Sequence, residues 1–304
     1  MRIENKKGFS LIEALVIIVI LGFLLAMMPR VLGGNLAQRR FDKTRERMEE
    51  IKKALLGSNP HYSNFKREFA GYLLDMGGLP PLDINTNQPK ALWTNDLDED
   101  GAPDLPDWKS LSIEVDPYCM FEGRGRTIFI GWRGPYMEKP PGGLLKDGWG
   151  SPFIFSTSDS DMTIKSYGAD SMEGGSGFNE DITLSIKQRK YMAAIAGQIS
   201  FEDGLADNVR IRVYYTSGGL ESKKTIKGVK ADGYFRFEFV PGERDAKGRA
   251  NMNIPIGMRP VIVWVENDPA EDPEADKPSP DEKQEMILFY VGPALNWVGR
   301  LRLG

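Results

Sequence analysis

Two stretches of this chain gather oxygen donors at spacings that suit a hard cation. In the first, Asp96, Asp98 and Asp100 stand at positions 1, 3 and 5 of a twelve-residue run, Gly101 follows at 6, and Asp104 and Asp107 stand at 9 and 12. Alternating carboxylates with a glycine at the sharp turn let one short loop wrap a calcium ion. In the second, over residues 167–182, Asp170, Asn179 and Asp181 can converge with main-chain carbonyls on one ion, and the interspersed glycines allow the bends. Oxygen-only ligands favour calcium. The competing readings are a solvated acidic linker for the first run and a metal-free polar loop for the second.

The third chemically informative residue is Glu13. Residues 9–28 are apolar throughout except for Ser10 and Glu13, and about 20 helical residues span the hydrocarbon core of a bilayer. An ionised carboxylate inside such a span costs about 2.5–3.5 kcal/mol unless it is paired, so a partner is expected. The leader before it, residues 1–8, carries Arg2, Lys6 and Lys7; positive flanks stay cytoplasmic, which turns the bulk of the chain outward. A secretory signal would place small residues after the apolar run, whereas Ala26 is followed by Met27, Met28, Pro29 and Arg30.

Composition removes other chemistries. Of 304 residues only Cys119 is a cysteine and only His61 a histidine. A disulfide within the chain, a Cys/His zinc site and a histidine triad are therefore excluded, and Cys119 reads as a small buried apolar residue. A net charge of -4 argues against nucleic acid as a partner.

The run Lys6, Lys7, Gly8, Phe9, Ser10, Leu11, Ile12, Glu13 resembles the prepilin processing motif of type IV pilins and pseudopilins. The resemblance implies cleavage after Gly8 by a prepilin peptidase, N-methylation of the new Phe9 amine, and pairing of Glu13 with the Phe9 ammonium of a neighbouring subunit. A plain single-span anchor would leave both the Gly8/Phe9 junction and Glu13 unexplained.

Positioning these residues requires a long helix and two folded regions. Pro29 and the Gly33/Gly34 pair predict a kink or melted stretch after the span. Beyond it Ala37, Phe41, Met48, Ile51 and Leu55 share one helical face, with Arg45/Glu49 and Glu49/Lys53 as i,i+4 pairs on the other. The helix is thus expected over residues 9–57, with a transmembrane part at 9–28. In residues 58–190, strand-like runs at 127–132, 153–157, 163–167 and 182–186 predict a small antiparallel sheet packed on the helix. The segments 132–136 and 146–153 resemble aromatic-rich segments of the major pseudopilins of type II secretion, departing from them at Gly148 and Ser151. The 167–182 run is similar to the calcium loop of those proteins, with Asn179 in place of an acidic residue and Ser171 in place of a glycine. The first acidic run resembles EF-hand, dockerin-type and thrombospondin-repeat loops, without flanking EF-hand helices.

Residues 191–304 alternate apolar and polar side chains at 209–214 and 235–239, which reads as half-buried antiparallel strands; about six short strands suit a β-sandwich. Stretches around Gly197, Val209 and Asp232 to Phe237 resemble the regulatory-like, transthyretin-like domains of metallocarboxypeptidases. Residues 267–281, rich in Asp, Glu and Pro, read as a mobile hairpin loop. The expected fold is therefore α+β: a pilin-type helix and sheet followed by an all-β sandwich. The expected function is a non-enzymatic pseudopilin subunit of a type II secretion or type IV pilus machine. It would sit as a single pass in a bacterial inner membrane, with its bulk in the periplasm or outside the cell. Its partners would be other pilin-like subunits, the prepilin peptidase and the membrane assembly machinery. The alternative is a membrane-anchored binding or adhesion protein whose sandwich takes a ligand through aromatics such as Trp264 or Trp297.

Overall fold

The computed structural model describes residues 11–57, 71–112, 127–158, 161–201, 206–237, 254–266, 284–291 and 294–302. The leader, the Gly8/Phe9 junction, His61, Cys119 and the acidic run 267–281 lie outside them. The chain is α+β, with one long N-terminal helix and several antiparallel sheets. By compactness it forms two units. One comprises Met1–Arg47, Lys146–Pro152 and Ser166–Ile182, the other Met48–Leu145, Phe153–Lys165 and Thr183–Gly304.

Helix α1 runs over Leu11–Leu56 without a break. The kink or melted stretch expected at Pro29 and Gly33/Gly34 is not a break in its secondary structure. Proline costs a helix interior about 3 kcal/mol and each glycine about 1 kcal/mol, and the long runs of good formers on both sides offset that cost. Among the described residues no helix is long and apolar enough to cross a membrane; Phe9 and Ser10, where the expected span begins, lie outside them. The large apolar side chains from Leu11 to Phe23 are nonetheless 43–83% exposed.

The expected helical stripe is present at its C-terminal end, where Met48, Ile51, Ala54 and Leu55 are buried in the second unit. The charge pairing differs from the i,i+4 expectation. Glu49 meets Lys52 at 2.9 Å, one residue short of Lys53, and the Arg45 guanidinium lies 4.7 Å over the Phe41 ring.

In the first unit the segment 146–152 is fastened to α1. The Gly148 N–H donates to Thr44 Oγ1 at 2.9 Å, and a Cβ at Gly148 would overlap the Arg40 carbonyl. Arg47 Nη1 donates to the carbonyls of Lys146 and Asp147 at 2.6 and 2.7 Å. The buried Asp147 carboxylate accepts from the N–H groups of Trp149 and Ser151, each at 2.9 Å, and from Ser166 Oγ at 2.6 Å. Phe41 packs edge-on to Trp149 and Phe178.

The second unit holds the strands. β1 (Lys109–Ser112) pairs with β2 (Thr127–Ile130), and β3 (Ile154–Ser158), β4 (Asp161–Ser166) and β5 (Ile182–Ile186) form a three-stranded sheet in that order. Two four-stranded sheets follow. In one, β6 (Met192–Ser200) carries β9 (Tyr234–Phe237) and β10 (Ile254–Pro255) as antiparallel partners and β13 (Ala294–Arg302) as a parallel partner. The other has the order β12 (Gln284–Val291), β11 (Gly257–Val265), β7 (Val209–Ser217), β8 (Leu220–Lys227), all antiparallel.

The half-buried reading of β7 is corrected, because every residue from Val209 to Tyr214 is buried, Arg210 and Arg212 included. Helix α2 (Tyr72–Met76) touches β7, and β2 touches β11, so this sheet has neighbours beyond its own strands. Gly219 N–H donates to the Met76 carbonyl at 2.9 Å and Thr216 Oγ1 to the Asp75 carbonyl at 3.2 Å. The arginines find partners inside: Arg210 pairs with Glu266 and donates to the Asp207 carbonyl at 2.6 Å, and Arg212 donates to Thr225 Oγ1 at 2.9 Å with its guanidinium 5.1 Å over Trp264. A paired and hydrogen-bonded arginine escapes the desolvation cost that normally keeps this residue at the surface.

Candidate cation loops and assembly segment

The first acidic run is a closed loop. The N–H groups of Asp104 and Leu105 both donate to the Asn95 carbonyl, at 2.8 and 3.2 Å, and draw its two ends together. Gly101 sits at φ 94° and Glu99 at φ 64°, the left-handed conformations that fold the tip back. The Gly101 N–H then donates to Asp96 Oδ2 at 2.9 Å, and Asp104 Oδ2 accepts from the Leu97 and Asp98 N–H groups at 2.6 and 3.3 Å.

In this geometry Asp96, Asp98 and Asp104 each offer an oxygen within 4.8 Å of the others'. Asp96 Oδ1 is buried and has no hydrogen-bond donor. Carboxylates this close repel one another, and a buried oxygen without a donor carries a desolvation cost. A divalent cation relieves both, so these three residues fit the calcium reading on structural grounds beyond their spacing. The remaining two expected ligands stand outside the trio: Asp100 accepts from the Ala102 N–H at 2.8 Å, and Asp107 from Asn95 Nδ2 at 3.5 Å, with its backbone bridged to Trp132.

In the second loop, Gly168–Asp170 and Gly177–Asn179 form short 3₁₀ turns that touch each other. A Cβ at Gly168 or Gly175 would crowd the backbone of Asn179, and both have positive φ, so each needs glycine. Ser171 adopts φ 58°, a left-handed position where the resembling loops have glycine, and its hydroxyl lies 2.7 Å from that of Ser151. Asp170 accepts from the Met172 N–H and Asp181 from the Gly174 N–H, both at 3.1 Å. Asp170, Asn179 and Asp181 therefore belong to one tightly folded loop, with no three-carboxylate cluster like that of the first.

A titratable group that the sequence did not disclose is Asp75, buried on α2. Its Oδ2 accepts from the Tyr136 hydroxyl at 3.0 Å and lies 3.3 Å from Arg133 Nε. Burial pushes this carboxyl up to about 6, against the lowering influence of Arg133, Tyr136 and Arg259. The only prior signal was an acid among the apolar neighbours Tyr72, Leu73, Leu74 and Met76. Asp83 goes the other way: Lys90 at 2.8 Å and the Thr86 hydroxyl hold its carboxyl below the usual range.

With this geometry in place, two family matches acquire a structural setting. Residues 4–29 match the prokaryotic N-terminal methylation motif, and residues 125–185 match type II secretion system protein G. The first covers the start of α1; the second takes in β2 to β4, most of β5 and the whole second loop. Through these two segments the chain is similar to pilin-like proteins, and both matches support the pseudopilin resemblance of its motifs. The 125–185 match is to a pseudopilin, and the families matched are structural components. No curated protein and no solved structure matches the chain.

Proposed function

We propose that this chain is a pseudopilin-like subunit of a type II secretion or type IV pilus machine, polymerising through α1 and displaying its two four-stranded C-terminal sheets as a β-sandwich. The observation that carries this reading is a methylation motif leading directly into a helix whose large apolar side chains between Leu11 and Phe23 are exposed. Such a surface needs lipid or neighbouring helices to cover it. On this reading residues 9–28 insert into the inner membrane, a prepilin peptidase cuts after Gly8, and Glu13 pairs with a neighbour's Phe9 ammonium. The subunit performs no catalysis, and its bulk faces the periplasm or the cell exterior.

Mass spectrometry of the mature N-terminus tests processing, and methyl-Phe9 is the expected result; a chain retaining Met1 or cut after Met28 overturns it. Glu13→Val tests pairing. It removes an insertion penalty of about 2.5–3.5 kcal/mol, so membrane insertion should persist while cross-linking into filaments falls. Undiminished incorporation of the variant would sink the pairing. Calcium belongs to the same reading, held at Asp96, Asp98 and Asp104 and, by resemblance, at Asp170, Asn179 and Asp181. The alternative, a membrane-anchored ligand-binding protein, gains one specific observation: Trp264 is buried, but Trp297 is 57% exposed.

A further inference from the structure

The outer face of the β9–β6–β13 sheet carries a regular arrangement of side chains that neither assembly nor cation binding uses. Cross-strand register sets Arg236, Ala196 and Trp297 in one row, and Tyr234, Gln198 and Arg300 in the next. In a regular strand Trp297 and Arg300, three residues apart, would point to opposite faces. The register shift between them, with Gly299 at φ 93°, inserts one extra residue, and both then stand beside alternate residues of β6 on one face. The bulge is what completes the arrangement.

The two aromatic residues occupy one diagonal and the two arginines the other. Ala196 is small enough to let the Tyr234 and Trp297 rings approach over it, with centroids 6.3 Å apart and planes inclined by 25°. The two rings stack on each other, which leaves the 57% exposed Trp297 ring as the open aromatic surface, while Ala196 is fully buried. Arg300 is fixed in place, its Nε and Nη2 donating to Gln198 Oε1 at 3.2 and 3.0 Å, while Gln198 Nε2 donates to the Asp232 carbonyl at 2.7 Å. Asp232, the nearby acid, accepts from the Tyr234 N–H at 2.9 Å. Arg236 and Arg300 are exposed at opposite corners.

We propose that this face binds an acidic polysaccharide, a uronate-bearing chain lying across Tyr234 and Trp297. A pyranose ring presents C–H groups on its flat face, which pack on an aromatic plane, and polar groups around its edge. The half-buried Tyr234 and the exposed Trp297 supply such area at low entropic cost. The exposed Arg300 matches a carboxylate of such a chain, because a planar guanidinium bonds a carboxylate through two donors. This inference extends the display reading and rests on it only for where the ligand is met; binding is measured on the unassembled chain.

The test is tryptophan fluorescence titration of the full chain in detergent with hexagalacturonate, cellohexaose and oligo-dT. Hexagalacturonate should bind saturably, at least tenfold more tightly than cellohexaose, and more weakly as salt rises. Trp297→Ala, a change at an exposed position, should weaken binding at least tenfold, read by calorimetry since the reporter is lost. Arg300→Gln should erase the preference for the acidic chain, with an unchanged circular dichroism spectrum. Absence of saturable hexagalacturonate binding, equal affinity for cellohexaose, tighter binding of oligo-dT, or unaltered affinity in Trp297→Ala would each overturn the proposal.

Discussion

Asp75 shows how one buried carboxyl makes stability depend on pH. Its folded-state value of about 6 lies above the ordinary 3.8, so the native state holds this proton more tightly than the unfolded chain does. Its stabilising contribution is complete below about pH 4 and is lost as pH rises through about 6, to a ceiling of about 3 kcal/mol. Melting temperatures of Asp75→Asn and the parent between pH 4 and 7 check this: the variant should show a flatter profile across that window. Parallel profiles would remove Asp75 as the source. Asp83 has the opposite sign, its contribution being lost as pH falls below the ordinary carboxyl range. Gly148 shows what a departure from a familiar motif can mean. As a sequence it reads only as a mismatch, but its N–H is a donor to Thr44 and its missing side chain makes room for the Arg40 carbonyl. A difference at 148 becomes intelligible only with a position 104 residues earlier.

The elements were legible to different degrees. Residues 127–130, 154–158, 161–166 and 182–186 announce themselves as strands through β-branched and aromatic runs bounded by glycine and proline. β1, with the plain sequence KSLS, carries no such signal, and β13 is interrupted by its own bulge, which breaks the alternation that would reveal it. β7 misled in another way, since alternation tells which residues share a face but not whether a second layer covers the polar one. The first acidic loop was readable as spacing, yet only the fold shows that three of its five expected ligands converge. If calcium fills it, binding to the native state alone adds RT ln(1 + [L]/Kd), about 2.7 kcal/mol at a hundredfold excess over Kd. Chelator should lower the melting temperature of the full chain, and Asp98→Ala should remove part of that response. Asp170→Ala should remove a separate part if the second loop is also filled. Isothermal titration decides: no calcium heat in the parent, or unchanged binding in both variants, leaves these loops as solvated surface.

At the scale of the molecule, the path of the chain through its last sheet has a mechanical consequence. β6 opens this sheet, β13 closes it, and the two are adjacent and parallel, from Ala294 beside Ala193 to Arg302 beside Ser200. A load entering at Met192 and leaving beyond Arg302 pulls these neighbours along their length in opposite directions. Their hydrogen bonds are then strained together in shear, whereas an antiparallel hairpin pulled from its open end releases its bonds one after another. Forced unfolding follows the unfolding rate and not the equilibrium stability, so this strand order resists tension beyond what the number of its contacts implies. Single-molecule pulling through positions 192 and 302 should give a markedly higher rupture force than pulling through 209 and 227, the ends of the β7–β8 hairpin. Equal forces would show that the parallel pair bears no special share of the load. A chain folded this way is suited to being dragged by one end while gripped by the other.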